Sequence, residues 1–171
     1  MLISTSRKPS SKTRAFCKNL SHALDTDYVN RGKMSMRELQ LKSNSLGLDN
    51  IVLVYEMKGN PSKITFFSND GEELLVILGS VNTTNQRLHI KTSELSFKSE
   101  IPELDLLSDI FPINDSNDNY NENHIYVEKL EDYDDEYDDI EDFNKRIGII
   151  HFYNRDGNDT GLKINIRKII D

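Results

Sequence analysis

Short apolar blocks alternate with polar turns along the first half of the chain, and their spacing predicts strands and helices in alternation. Leu2–Thr5 is a predicted strand that ends before Pro9. Ser10 or Ser11 can cap a following helix that runs to about Leu24, because a serine oxygen accepts hydrogen bonds from free helical N–H groups. The apolar residues of this segment recur at the 3.6-residue helical period and share one face, namely Phe16, Leu20, Ala23 and Leu24.

A second strand and helix follow, and then a third strand. Residues 28–30 form the predicted strand, and Ser35 and Glu38 have the spacing of a capping box at the start of a helix that Gly47 ends. The apolar side of this helix is predicted to carry Met36, Leu39 and Leu46. Residues 51–55, with the sequence IVLVY, are continuously apolar, which is typical of a strand in a parallel sheet that is covered on both faces. Right-handed crossovers are the expected connections.

The rest of the chain predicts further strands and few helices. Residues 63–67 and 74–78 flank Asn69-Asp70-Gly71, which is a hairpin signal. We predict a strand at 88–92, a short helix at 102–110, a loop at 114–123, and strands at 125–130, 147–153 and 162–166. In the last strand, alternation places Leu162, Ile164 and Ile166 on one face. The other face, which is directed towards water or a ligand, carries Lys163, Asn165 and Arg167.

These elements predict one α/β domain over residues 1–171. The order of elements suggests an N-terminal lobe of about residues 1–82 and a C-terminal lobe of about residues 83–171. Within the second lobe, residues 131–142 form an acidic loop with nine acids in twelve residues.

Charge is distributed very unevenly in this chain, whose formal net charge is −8. Residues 1–63 hold eleven Lys and Arg against five Asp and Glu, whereas residues 100–143 hold seventeen acids and one Lys. Residues 144–171 return to a balance of +3. The net acidity therefore does not exclude a nucleic-acid partner, since the first third of the chain is basic.

Three basic segments, at 6–12, 30–33 and 58–63, each follow a predicted strand. Ligands of open α/β sheets bind beyond the carboxyl ends of the strands, so parallel strands would bring these loops to one edge. Two of the loops lead into helix N-termini, which favour anions. We predict a phosphate-binding edge there, and the alternative is that these cations are ordinary solvated surface charges. The candidate RNA-binding residues are Arg7, Lys8, Lys12, Arg14, Lys18, Arg31, Gly32, Lys33, Lys58, Gly59 and Lys63.

The ligand that suits these segments is a polymer. They lack the P-loop and G-x-G-x-x-G patterns, which disfavours a mononucleotide or dinucleotide. Aromatic residues available for base stacking are few, so we expect recognition of backbone and shape, as in structured RNA.

The acidic loop at 131–142 leaves three interpretations open. It is a solvated loop by default. It can instead dock a basic protein or fold back over the basic edge as a nucleic-acid mimic. A divalent-cation site is the weakest of the three, because the loop lacks an EF-hand pattern.

The sequence indicates a protein without catalytic residues, cofactor or metal. The four histidines lack metal-ligand spacing, and no nucleophile–base set can be assembled from the chain. His151 is expected to be a satisfied core residue. Cys17 is expected to be a small buried residue on a helix, with a reactive thiol as the alternative.

The bulk properties predict a soluble cytoplasmic monomer. The chain lacks an apolar stretch near the roughly 20 residues needed to cross a bilayer, and its first residues do not have the pattern of a secretory signal. A single cysteine fits a reducing compartment.

Three segments together resemble the Brix-domain proteins, above all their short archaeal form. These are STSRKPSSKTRAFCKNL at 4–20, YVNRGKMSMREL at 28–39 and KGNPSKITFF at 58–67, with a weaker likeness in GLKINIRKI at 161–169. The resemblance implies two similar α/β lobes related to the anticodon-binding domain of class IIa aminoacyl-tRNA synthetases. It also implies non-catalytic binding of ribosomal RNA precursors during processing and subunit assembly. The family's basic motifs correspond to Arg7, Lys8, Arg14, Arg31, Gly32, Lys33, Lys58 and Gly59.

Three functional hypotheses follow. The first is an RNA-binding assembly factor that neutralises phosphates along the basic edge. The second is an adaptor whose acidic loop recruits basic ribosomal proteins or other assembly factors. The third is a tRNA-directed module, which rests on analogy of fold alone.

Overall fold

The computed structural model describes residues 1–86, 88, 94–113, 123–130 and 145–170. Within these ranges nine strands form one mixed sheet in the order β2-β1-β3-β4-β5-β9-β8-β7-β6. The strands are β1 Leu2–Thr5, β2 Asp27–Tyr28, β3 Asn50–Met57, β4 Asn60–Ser68, β5 Glu73–Asn82, β6 Ser96–Ser99, β7 His124–Lys129, β8 Gly148–Tyr153 and β9 Asp159–Ile170. The helices are α1 Ser11–Ala23, α2 Met36–Ser45 and α3 Leu107–Ile110, and a 3₁₀ turn spans Pro102–Leu104.

The predicted parallel arrangement of the first three strands is confirmed. β1 pairs in parallel with both β2 and β3, and the order then continues through antiparallel pairs from β3 to β7. At the far end β6 is again parallel to its neighbour β7. The sheet runs without a break through the β5–β9 pair, so the predicted lobe boundary near residue 82 remains a proposal about how the chain is organised.

Both long helices begin where their serine caps predict. The Ser10 side chain accepts a hydrogen bond from the Thr13 N–H, and α1 begins at the next residue. Ser35 and Glu38 form the reciprocal capping box at the start of α2. Each cap contributes about 1 kcal/mol to helix stability, and together the caps fix where the preceding loops end.

α1 and α2 pack on opposite faces of β1 and β3, which explains why β3 is apolar along its length. The larger core lies on the α1 side, where Phe16 and Leu20 meet Val52 and Val54. The smaller core lies on the α2 side, where Leu39 packs with Leu2, Ile51 and Leu53. The confirmed two-sided burial holds the strand ends, and therefore the loops that leave them, in fixed positions.

The predicted apolar side of α2 is wrong at Leu46. This residue is 42% exposed, because the helix ends at Ser45 and the chain turns at Gly47, whose φ is +68°. Leu48, beyond the turn, packs against the smaller core instead.

Three predicted strands of the second half are confirmed as β7, β8 and β9, but β6 at Ser96–Ser99 was not predicted, and there are three further differences. The predicted helix at 102–110 is divided into the 3₁₀ turn and α3, and β9 is longer at both ends than predicted. Asn165 does not face water, because it is 6% exposed and its side chain bonds to Arg146 and Asn82. The predictions made for 114–122, for the acidic loop at 131–142 and for most of 88–92 lie outside the described residues.

Cys17 and His151 are both buried, as predicted, but in different settings. Cys17 lies in the larger core, and burial raises the pKa of its thiol to about 12. His151 lies on the opposite face of the sheet from that core, with its Nε2 atom 2.9 Å from a Glu128 carboxylate oxygen. Its Nδ1 atom lacks a hydrogen bond within the described residues and lies 3.7 Å from Asp159, so His151 is only partly satisfied.

Candidate nucleic-acid interface

Two of the predicted basic loops lie side by side at the carboxyl edge of the sheet. One connects β1 to α1 and the other leads from β2 to α2, and they are neighbours because β1 and β2 are parallel and adjacent. Between them is an open groove of about 670 Å³, which we call the loop groove. The residues that line it are Arg7, Lys8, Pro9, Arg14, Asn30, Arg31, Gly32 and Lys33.

The charged residues that line the loop groove are all positive. Five of the eight lining residues are Lys or Arg and none is Asp or Glu, although Glu38 and Glu56 are near enough to interact with Arg7 and Arg14. Arg7, Lys8, Arg14 and Lys33 are exposed, so these charged groups are accessible to a ligand. Like charges held together in a concave surface create a local potential that attracts an anion.

Arg31 is held in place by a backbone contact, as is Arg14, whose Nη1 donates a 2.7 Å hydrogen bond to the Pro9 carbonyl oxygen. The Nε of Arg31 donates a 2.6 Å hydrogen bond to the Met34 carbonyl oxygen across the turn. Partial burial lowers the pKa of its guanidinium, Tyr55 opposes this effect, and the positive charge of Arg7 adds to it. An arginine that is already ordered loses less side-chain entropy on binding, so Arg31 is suited to anchor a phosphate.

The helix N-termini, which the sequence suggested as anion sites, are already occupied by side chains of the protein. At α1 a Glu56 carboxylate oxygen accepts a 2.9 Å hydrogen bond from the Ser10 N–H and another from the Thr13 hydroxyl. These bonds lower the pKa of Glu56. At α2 the Glu38 carboxylate takes the corresponding position. The groups of the loop groove that remain available to attract an anion are therefore its Arg and Lys side chains rather than the helix N-termini.

The third basic segment joins the same edge through the hairpin between β3 and β4. Lys58 and Gly59 form its turn, with φ of +50° and +77°. Ser10 Oγ donates a 2.9 Å hydrogen bond to the Gly59 carbonyl, and Lys12 Nζ donates a 2.7 Å bond to Asn60 Oδ1. The hairpin is thus attached to the start of α1, and all three segments lie at one edge.

Several predicted residues lie beside the loop groove without lining it. Lys12 bonds to the hairpin, Lys18 is exposed one turn beyond Arg14 on α1, and Lys58 and Gly59 form the hairpin turn. Lys63 lies on β4, with its Nζ 5.4 Å from the centre of the Tyr55 ring. Asn30 also lines the groove, although it was not among the predicted RNA-binding residues. The sequence feature that could have indicated it is its position directly before Arg31.

Neither a membrane-spanning helix nor a metal site is found among the described residues. No helix in these ranges is long and apolar enough to span a bilayer. No cluster of three or more His, Cys, Asp or Glu side chains within the same ranges is arranged to hold a metal ion.

Sequence comparison places archaeal proteins among the relatives of this chain, although no family model matches it. A probable Brix domain-containing ribosomal biogenesis protein of Methanothermobacter thermautotrophicus is 38% identical over 99 residues, which are 58% of each chain. The protein of the same description from Archaeoglobus fulgidus is 32% identical over 59% of this chain and 61% of its own. The matches thus span about three-fifths of these relatives.

Two solved structures share the fold over nearly the whole chain. Mil, an archaeal Imp4-like protein, superposes with a TM-score of 0.76 and 25% identity over 99% of this chain and 98% of Mil. A probable ribosomal biogenesis protein from Aeropyrum pernix superposes with a TM-score of 0.71 and 21% identity, which supports the fold alone. The chain is thus similar in sequence to archaeal Brix domain-containing proteins over about three-fifths of its length, and it shares the fold of an Imp4-like archaeal protein over nearly all of it.

Proposed function

We propose that the chain is a non-catalytic factor of ribosome biogenesis that binds ribosomal RNA precursors through the loop groove. The observation that carries this proposal is the convergence of five cations from separate loops on one groove, with no carboxylate among its lining residues. The relatives described as ribosomal biogenesis proteins support ribosomal RNA as the ligand.

The mechanism follows from the arrangement of charges. Lys and Arg in the groove neutralise phosphates and release their condensed counterions, which drives binding and makes it dependent on salt. The helices packed on both faces of β1 and β3 hold the two loops at a fixed separation, so that a particular backbone shape is selected. Such a protein can hold a segment of RNA precursor in one conformation while other components assemble.

Binding of the wild-type protein to transcribed fragments of ribosomal RNA tests this proposal. We expect affinity to fall linearly with salt concentration on logarithmic axes, with a slope of about −3 to −4 if four to five phosphates are contacted. Unlabelled transfer RNA should compete more weakly than ribosomal RNA. Equal competition would support the tRNA-directed alternative, and binding that does not change with salt would contradict the proposal.

Deletion of residues 131–142, which hold nine acids, distinguishes the adaptor hypothesis from the RNA-binding hypothesis. If the deletion abolishes the capture of basic ribosomal proteins while RNA binding by the wild-type protein is negligible, the adaptor role replaces the one proposed here.

A further inference from the structure

A second basic groove lies where the two halves of the sheet meet, and its lining residues come from β3, β4, β5 and β9 and from the segment before β8. It has a volume of about 800 Å³, and we call it the junction groove. Four cations line it, namely Lys63, Lys145, Arg167 and Lys168. Of these four, Lys63 alone was among the candidate RNA-binding residues predicted from the sequence, whereas Arg167 was predicted to face water or a ligand.

Strand pairing explains how these distant residues meet. Leu78 on β5 is the register partner of Lys63 on β4 and also of Lys168 on β9. The two lysines are therefore two strands apart, or about 10 Å between their backbones. Arg167 lies where the β5–β9 register shifts, and Lys145 precedes β8, whose first residue pairs with β9. One side of the junction is thereby lined with positive charge.

Two cations of the junction groove, Arg167 and Lys168, lack an ion pair among the described residues. Both side chains are exposed, as is that of Lys145. Glu56 is the one carboxylate among the lining residues, and it accepts the hydrogen bonds of Ser10 and Thr13. A concave surface with this balance is complementary to a polyanion.

A positive bridge connects the junction groove to the loop groove. Lys63 lies over the Tyr55 ring, which forms a cation–π contact at 5.4 Å. Arg31, which lines the loop groove, is close enough to Tyr55 that the two groups alter each other's pKa. The neighbouring residues Arg31, Tyr55 and Lys63 therefore lead from one groove to the other, and Glu73 is the carboxylate that acts on Tyr55.

We propose that the junction groove is a second phosphate-binding surface, which receives the continuation of the RNA strand held in the loop groove. This inference rests on the proposed function, and it adds residues of the C-terminal half to the RNA contact. It commits to an RNA backbone as the occupant, since exposed Lys and Arg at separate strand positions suit spaced phosphates.

The test compares two triple alanine variants that each remove three positive charges. The junction variant changes Lys145, Arg167 and Lys168. The control variant changes Lys42, Lys98 and Arg155, which are exposed and line neither groove. Lys63 is left unchanged because it packs on Tyr55. Circular dichroism establishes that both variants are folded.

Binding to a transcribed ribosomal RNA fragment of about 30 nucleotides is then measured over a range of salt. We expect the junction variant to reduce the salt slope by about 2, since each single-strand phosphate contact contributes about 0.7, and the control to change it by less than about 0.5. With a short oligonucleotide that fills only the loop groove, both variants should match the wild type.

The outcomes separate this inference from the proposed function. If the wild type binds RNA with a steep slope but the junction and control variants behave alike, the second surface is wrong and the loop groove stands. If the wild type does not bind RNA, the proposed function is wrong. If the junction variant loses affinity for poly-glutamate but not for RNA, the groove is a site for an acidic protein, and the inference is overturned.

Discussion

Replacing Arg7, Lys8, Arg31 and Lys33 by alanine should lower the affinity for ribosomal RNA by about 10² to 10³ at 0.1 M salt. All four side chains line the loop groove, and Arg14 is the one other cation among the described residues that line it. If each contacts one phosphate, the slope of log affinity against log salt should fall by about 3. Near 1 M salt the affinity of the variant should hardly differ from that of the wild type, because salt screens the electrostatic interactions that the variant has lost.

The control for this variant keeps the charge but changes the chemistry of the anchor. Arg31→Lys retains one positive charge in the groove but loses the planar guanidinium, whose Nε is bonded to the Met34 carbonyl. We expect a loss of about tenfold in affinity with a nearly unchanged salt slope. If the quadruple variant keeps the full slope while it remains folded, the loop groove is not the RNA-binding surface.

Gly79→Ala should lower the free energy of unfolding by about 3 kcal/mol. A Cβ atom at this position would lie 1.8 Å from the backbone carbonyl oxygen of Asn165, and neither backbone can move without breaking the β5–β9 pair. Overpacking of a rigid site typically costs 1–3 kcal/mol, and a contact with backbone stands at the upper end. Urea denaturation measures this change.

Gly47→Ala is the matched control for this measurement. Gly47 has φ of +68°, and its added Cβ would meet no atom within 4 Å. The substitution should therefore cost only the conformational penalty of about 1 kcal/mol. If Gly79→Ala costs no more than Gly47→Ala, the two halves do not share the close β5–β9 contact, and the junction groove loses its structural basis.

The N-terminal half was predictable because its signals are local. The cap residues Ser10 and Ser35 and the apolar run at 51–55 each determine a nearby element, and the parallel strands then bring the exit loops to one edge. The convergence of Arg7 and Arg31 follows from that topology alone.

The features that the sequence did not predict depend on contacts between residues that are far apart in the chain. Glu56 takes the anion position at the start of α1 from 46 residues away, and no local pattern shows that it reaches Ser10. The junction groove joins Lys63 to Lys168 through a shared partner on β5, so it appears only when the strand order is known. Asn165 looked like an outward strand position, but the bond from Arg146 makes it part of the interior.

Mapping of photo-crosslinks between the protein and cellular RNA tests the central claim most directly. Mass spectrometry identifies the crosslinked peptides, and sequencing identifies the attached RNA. We predict crosslinks in peptides that contain residues 6–14 and 30–33, joined to precursor ribosomal RNA. Crosslinks that leave both peptides unmodified, or RNA that is mainly transfer RNA, would contradict the account.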